Sequence, residues 1–204
     1  MMTRSVARDE RPARPGLIAG LVAVVLLLIS CDLPGGARQD ITVLNGEITV
    51  RAPQFYCVDL ESSRGGDDTA VVLIGRCTEN GHVAAALVTV TLGRFASGGV
   101  MLAGAEPLRQ FLGSTAGRRA MARSGRAQDL AVLQSGVVDG TLLLHLKDAM
   151  VGEYWRAVIG VRGRLVTVSA LGPEGVPLPP EEGRNLVEET VAALIKANPA
   201  TPRQ

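Results

Sequence analysis

The sequence predicts an α+β fold: a mainly antiparallel sheet built from hairpins, with two helices packed on it, at about 106–124 and 180–197. Three observations lead there. Short runs of β-branched and apolar residues are separated by Asn-Gly, Asp-Gly and Arg-Gly pairs, the chemistry of tight turns. Only two stretches carry apolar residues at helical spacing. Successive strands are joined by connections too short for a parallel crossover.

Each element follows from its residues. Ile41–Leu44 and Glu47–Val50 flank Asn45-Gly46, a two-residue hairpin signal. A second hairpin joins the run from Phe55 to Asp59 to the apolar run from Ala70 to Cys77 through the turn-rich Arg64–Asp68. Asn80-Gly81 ends that strand, and Ala84 to Leu92 forms the next. Glu106-Pro107 opens the first helix, where the missing proline donor is harmless. Leu108, Phe111, Leu112 and Thr115 line one face, Gly117 is a point where it can break, and Gly125 can cap its end. Leu130–Val138 and Thr141–Lys147 pair around Asp139-Gly140, and Tyr154–Val161 and Leu165–Leu171 pair around Arg162-Gly163. Pro179-Pro180-Glu181-Glu182 opens the last helix with acids at its positive end. Val187, Val191, Leu194 and Ile195 form its apolar stripe. The closing hairpin and helix, over roughly 150–198, resemble the PsbP-like fold of small exported accessory proteins, through Tyr154–Gly160, the strand from Leu165 to Ala170 and Ala193-Leu194-Ile195. That fold has no common activity to transfer.

Composition narrows the function. Of 204 residues, 47% are hydrophobic and 20% charged, which argues against disorder. A net charge of +1 leaves no field to steer nucleic acid, and 3% aromatic residues leave few surfaces for stacking bases, so no nucleic-acid partner is expected.

The N-terminus is the most specific segment. Arg4, Arg8, Arg11 and Arg14 precede an apolar run from Leu17 to Ile29. That run is too short for a bilayer span of about 20 residues and matches the roughly 7–15 of an export signal. It ends in Leu28-Ile29-Ser30-Cys31, which resembles the lipobox of bacterial lipoprotein precursors. The resemblance implies cleavage before Cys31, lipidation of Cys31, and a lipid bilayer as a partner held through that anchor. Asp32 resembles the inner-membrane retention signal of enteric lipoproteins. The expected organisation is a signal peptide over 1–30, a tether over 31–40, one α+β domain over 41–198 and a flexible tail over 199–204. An uncleaved single-pass anchor is the alternative.

Export places Cys57 and Cys77 in an oxidising space, which favours a disulfide. Pairing them opposite each other would centre the hairpin at residue 67, inside the turn. Two free thiols or half of a metal site are the alternatives. No further His or Cys stands at zinc spacing, so neither metal nor cofactor is expected.

No nucleophile, base and acid are grouped in the sequence, so no catalytic residue is assigned. His82 and His145 are the only histidines, and an exported hydrolase built on either is the alternative function. Arg118, Arg119, Arg123 and Arg126 form one basic stretch that can touch anionic headgroups. Tyr154 and Trp155, with Phe111, form a candidate aromatic cluster for a ligand or protein partner. The expectation is a membrane-tethered periplasmic lipoprotein that binds, or assists, rather than catalyses.

Overall fold

The computed structural model describes residues 38–77 and 82–200. The segment expected to be an export signal, Cys31, Asp32, most of the expected tether, Asn80-Gly81 and most of the expected tail lie outside them.

The chain opens with a ribbon of β1 (Asp40–Val43) and β2 (Ile48–Arg51). Its register pairs Val43 with Ile48, so the loop is four residues long rather than the two expected at Asn45-Gly46. Leu44 explains the difference. It turns left-handed (φ 55°) and is only 2% exposed, buried in the core. Burying a leucine is worth about 1.5–3 kcal/mol, which offsets the ~1–2 kcal/mol cost of the left-handed backbone.

The rest of the described residues form one seven-stranded antiparallel sheet and three α-helices. Strands β3 (Tyr56–Gly65), β4 (Ala70–Arg76) and β5 (Leu87–Leu92) make one meander. Strands β6 (Leu130–Val138), β7 (Thr141–Asp148), β8 (Gly152–Val161) and β9 (Arg164–Leu171) make a second. The two join where β5 pairs β9, so the order is β3-β4-β5-β9-β8-β7-β6. The β6–β7 and β8–β9 hairpins turn at Asp139-Gly140 (φ 48° and 76°) and Arg162-Gly163 (φ 47° and 77°), the positive pairs that suit the strand twist.

Side-chain alternation gives this sheet two different faces. Val72, Ile74, Val88, Val90, Val168, Ala157 and Leu143 point to one side and form a single core with the ribbon and the last helix. Leu142, Leu144, Leu146, Tyr154 and Val158 point to the other and pack beneath the first two helices. Those helices cover β6 and β7, a 3-10 turn at Ser97–Met101 packs on β8 and β9, and among the described residues no α-helix packs closely over β4 and β5.

The single helix expected over 106–124 is two helices, α1 (Ala105–Gly113) and α2 (Thr115–Met121). The break falls at Ser114, which is extended (φ −73°, ψ 167°) and whose Oγ accepts the Gly117 N–H at 3.1 Å. Gly117 is therefore not the break. It is the close contact, because a Cβ there would lie 2.1 Å from the Phe111 carbonyl oxygen. Gly125 stands beyond the helix end and does not cap it. The expected strand from Ala84 begins only at Leu87.

The final helix, α3 (Pro180–Ala197), has its expected limits, with Glu181 and Glu182 in the first turn. Its buried stripe is rotated from the expected one. Leu186, Val187, Thr190, Val191 and Leu194 are buried, and Ile195 is 51% exposed. Asn198 sets this rotation. Its Oδ1 accepts the Thr49 N–H and its Nδ2 donates to the Thr49 carbonyl, so the helix end docks on β2 as a strand would. Among the described residues no helix is long and apolar enough to cross a membrane.

Two further devices tie the chain: a disulfide within the sheet and a buried arginine between the ribbon and the sheet. Cys57 and Cys77 form a disulfide with Cα atoms 5.2 Å apart. It is diagonal: Cys57 stands opposite Gly75, and Cys77 lies just past the end of β4, where its N–H donates to the Phe55 carbonyl. The directly opposed pairing expected from the midpoint is thus displaced, because Phe55 turns left-handed (φ 68°) and ends the ladder. The second device is Arg164, whose side chain is 3% exposed. It donates to Glu47 of the ribbon, to Asp68 of the β3–β4 turn and to the Gly93 carbonyl beyond β5.

Candidate functional site

On the side of the sheet beneath α1 and α2, a groove gathers polar side chains that range from the buried Ser169 and Tyr154 to the exposed Thr91 and Arg123. Its floor is a single rung across three strands: Thr89 of β5 opposite Ser169 of β9, and Ser169 opposite Arg156 of β8. The same rung continues to Leu144 of β7, which lies beneath α1 and α2. Alternation makes this inevitable. In β5 the valines face the core, so Thr89 and Thr91 face out; in β8, Trp155 and Ala157 face the core, so Arg156 faces out.

The groove, about 220 Å³ in volume, is walled by Tyr154 and by Met121 and Arg123 from the end of α2 and the residues after it. Arg156 Nε donates to Ser169 Oγ at 2.9 Å, and its guanidinium lies over the Tyr154 ring at 5.3 Å. This bond uses Nε, which leaves both terminal amino groups for a ligand. Arg123 is placed by its backbone, whose N–H donates to the buried Asp148 carboxylate at 3.0 Å. Among the described residues neither Arg123 nor Arg156 has a carboxylate within ion-pair distance. Burial raises the Tyr154 hydroxyl above its ordinary range against the pull of Arg156 and Arg123, so it remains a proton donor at neutral pH. The groove thus offers two cations, a phenol and three aliphatic hydroxyls, with no acid in its lining. That is chemistry for holding an anion.

The candidate residues read from the sequence are dispersed. The basic stretch divides: Arg123 reaches the groove, Arg118 donates to the Gly113 carbonyl, Arg119 is exposed, and Arg126 pairs with Asp129. The aromatic cluster does not form. Tyr154 and Trp155 are successive strand residues and face opposite sides, while Phe111 is 49% exposed on α1. Trp155 is packed between β8 and α3, with His145 stacked on it at 4.7 Å and Arg184 over it at 5.6 Å. Arg156, Thr89, Thr91 and Ser169 form no motif in the sequence and are not among its candidate residues. Their signal was present as polar residues in the outward positions of otherwise apolar strands.

The two histidines lie elsewhere. His145 Nε2 is 2.8 Å from Glu153 Oε1, off the line of a hydrogen bond, in a crevice that admits no water-sized molecule. No serine, threonine or cysteine lines that crevice. His82 is exposed, edge-on to Phe55 at 5.2 Å. Among the described residues, no three of His, Cys, Asp and Glu converge as metal ligands. No family model matches the chain, and neither does any curated protein or solved structure.

Proposed function

We propose that this chain is a lipid-tethered protein of the bacterial envelope that binds an anionic group in the groove beside Tyr154, and that its role is binding rather than catalysis. The observation that carries the reading is the pair of arginines, Arg123 and Arg156, without carboxylate partners around a hydroxyl-lined groove. The tether rests on the sequence alone, on the export-signal pattern closed by Cys31. The bilayer is then one partner, and a periplasmic protein that delivers or receives the ligand is a second.

The two halves of the reading have separate tests. Intact mass of membrane-extracted protein should show a start at Cys31 carrying acyl mass, and Cys31→Ser should move the folded protein out of the membrane fraction. A full-length, unmodified N-terminus would refute the tether. Titration of inorganic phosphate into the full chain by calorimetry should saturate, and Arg156→Gln should weaken it at least tenfold. Equal binding by the variant would refute the groove.

A further inference from the structure

Beside the groove lies a second, larger cavity of about 810 Å³, between the β7–β8 turn and the loop from Gly172 to Pro180. Val151 and Leu171 line both spaces, so one apolar wall runs from the arginines into the larger cleft. The cleft is otherwise lined by Met150, Val176, Leu178 and a set of prolines. Met150 is 70% exposed and Val176 55% exposed, large apolar side chains with nothing packed over them. Charge is distributed unevenly along the shared wall. The two arginines stand at the groove end, and the carboxylates that line the cleft, Glu153 and Glu174, stand at the other.

We infer that the groove and the cleft are one binding site for an anionic amphiphile with a single apolar chain, its headgroup at Arg156 and Arg123 and its chain along Val151 and Leu171 toward Val176. The inference rests on the reading of the groove as an anion site, and it adds the chemistry of the rest of the ligand. Three features support it. The terminal amino groups of Arg156 match a phosphate or carboxylate geometrically. The uncapped apolar residues are those a hydrocarbon chain would cover. The glutamates repel a headgroup from the cleft, which leaves one orientation for the ligand. The headgroup chemistry is shared by phosphate and carboxylate, and the probes below separate them.

The test compares hexyl phosphate, hexanoate, inorganic phosphate and hexanol, each titrated calorimetrically into the full chain in a nonionic detergent. The expected result is that hexyl phosphate or hexanoate binds at least tenfold more tightly than both phosphate and hexanol. Whichever of the two binds more tightly identifies the headgroup. Val176→Asp, on an exposed loop, should abolish the advantage of the chain and leave phosphate binding unchanged. Arg156→Gln should abolish the advantage of the head. Hexyl phosphate and hexanoate binding no better than phosphate alone would overturn the amphiphile and leave the anion groove standing. No binding of any of the four probes would overturn both.

Discussion

Tyr154 and Trp155 are neighbours in one strand, both nearly buried, and each has an arginine guanidinium over its ring, at 5.3 Å and 5.6 Å. They belong to opposite sides of the sheet and have opposite uses. Arg184, over Trp155, is committed to Glu188 at 2.9 Å, and the space around the indole is closed by His145 and α3. Arg156, over Tyr154, has no such carboxylate among the described residues, and both line the groove. The difference teaches that similar arginine–aromatic pairs diverge by what else the guanidinium holds: a carboxylate in closed packing at Trp155, and a serine hydroxyl at the edge of the proposed groove at Tyr154.

The closed packing should therefore carry the stability and the groove the binding. Truncating Leu194, which is fully buried under α3, should cost about 2–5 kcal/mol in denaturant melts. Ile195→Ala, one residue on and half exposed, should change stability by less than about 0.5 kcal/mol. Equal losses would contradict the observed rotation of α3. Reducing the Cys57–Cys77 bridge, which closes a separation of 20 residues, should cost about 3 kcal/mol. Its loss should leave phosphate affinity unchanged, because β5, β8 and β9 hold the groove.

Arg164 comes next. Replacing it with methionine should lower stability by about 2 kcal/mol, below the range for wholly buried pairs because Glu47 and Asp68 are themselves half exposed and can rehydrate. Thermal melts of this variant should lose cooperativity first in the β1–β2 ribbon, which keeps its core packing and the Arg162 bond to the Glu47 carbonyl but loses the buried ion pair to Glu47. The smallest effect is a pH trend. Asp68 is held below the ordinary carboxylate range by the Phe95 N–H and by Arg164, and Glu106 is held down to about 2 by Arg109 and Gln110. A depressed folded-state value stabilises the fold above the unfolded value and is lost as pH falls through the folded one. Melting temperature should hold down to about pH 4, where free carboxylates titrate, and decline from there toward pH 2. A decline already complete at pH 4 would contradict these contacts.

Much of the fold was legible because its turns are local. Asp139-Gly140 and Arg162-Gly163 set their hairpins by backbone preference, and the acids and prolines before Asn185 set the start of α3. What escaped was decided by distant partners. The burial of Leu44 lengthens a turn, Ser114 captures a helix start, and Asn198 reaches 149 residues back to Thr49 to rotate a helix. The groove escaped for the same reason. Thr89, Arg123, Arg156 and Ser169 lie on separate segments and meet only through register, while the adjacent Tyr154 and Trp155 are divided by it.

The most direct test follows the side-chain Nε–H signals of arginine by NMR while phosphate is titrated into the full chain. The account predicts that Arg156 and Arg123 shift together and saturate with a common affinity, and that Arg184, stacked on Trp155 across the sheet, stays unmoved. Arg184 shifting alongside them, or Arg156 remaining still, would contradict it.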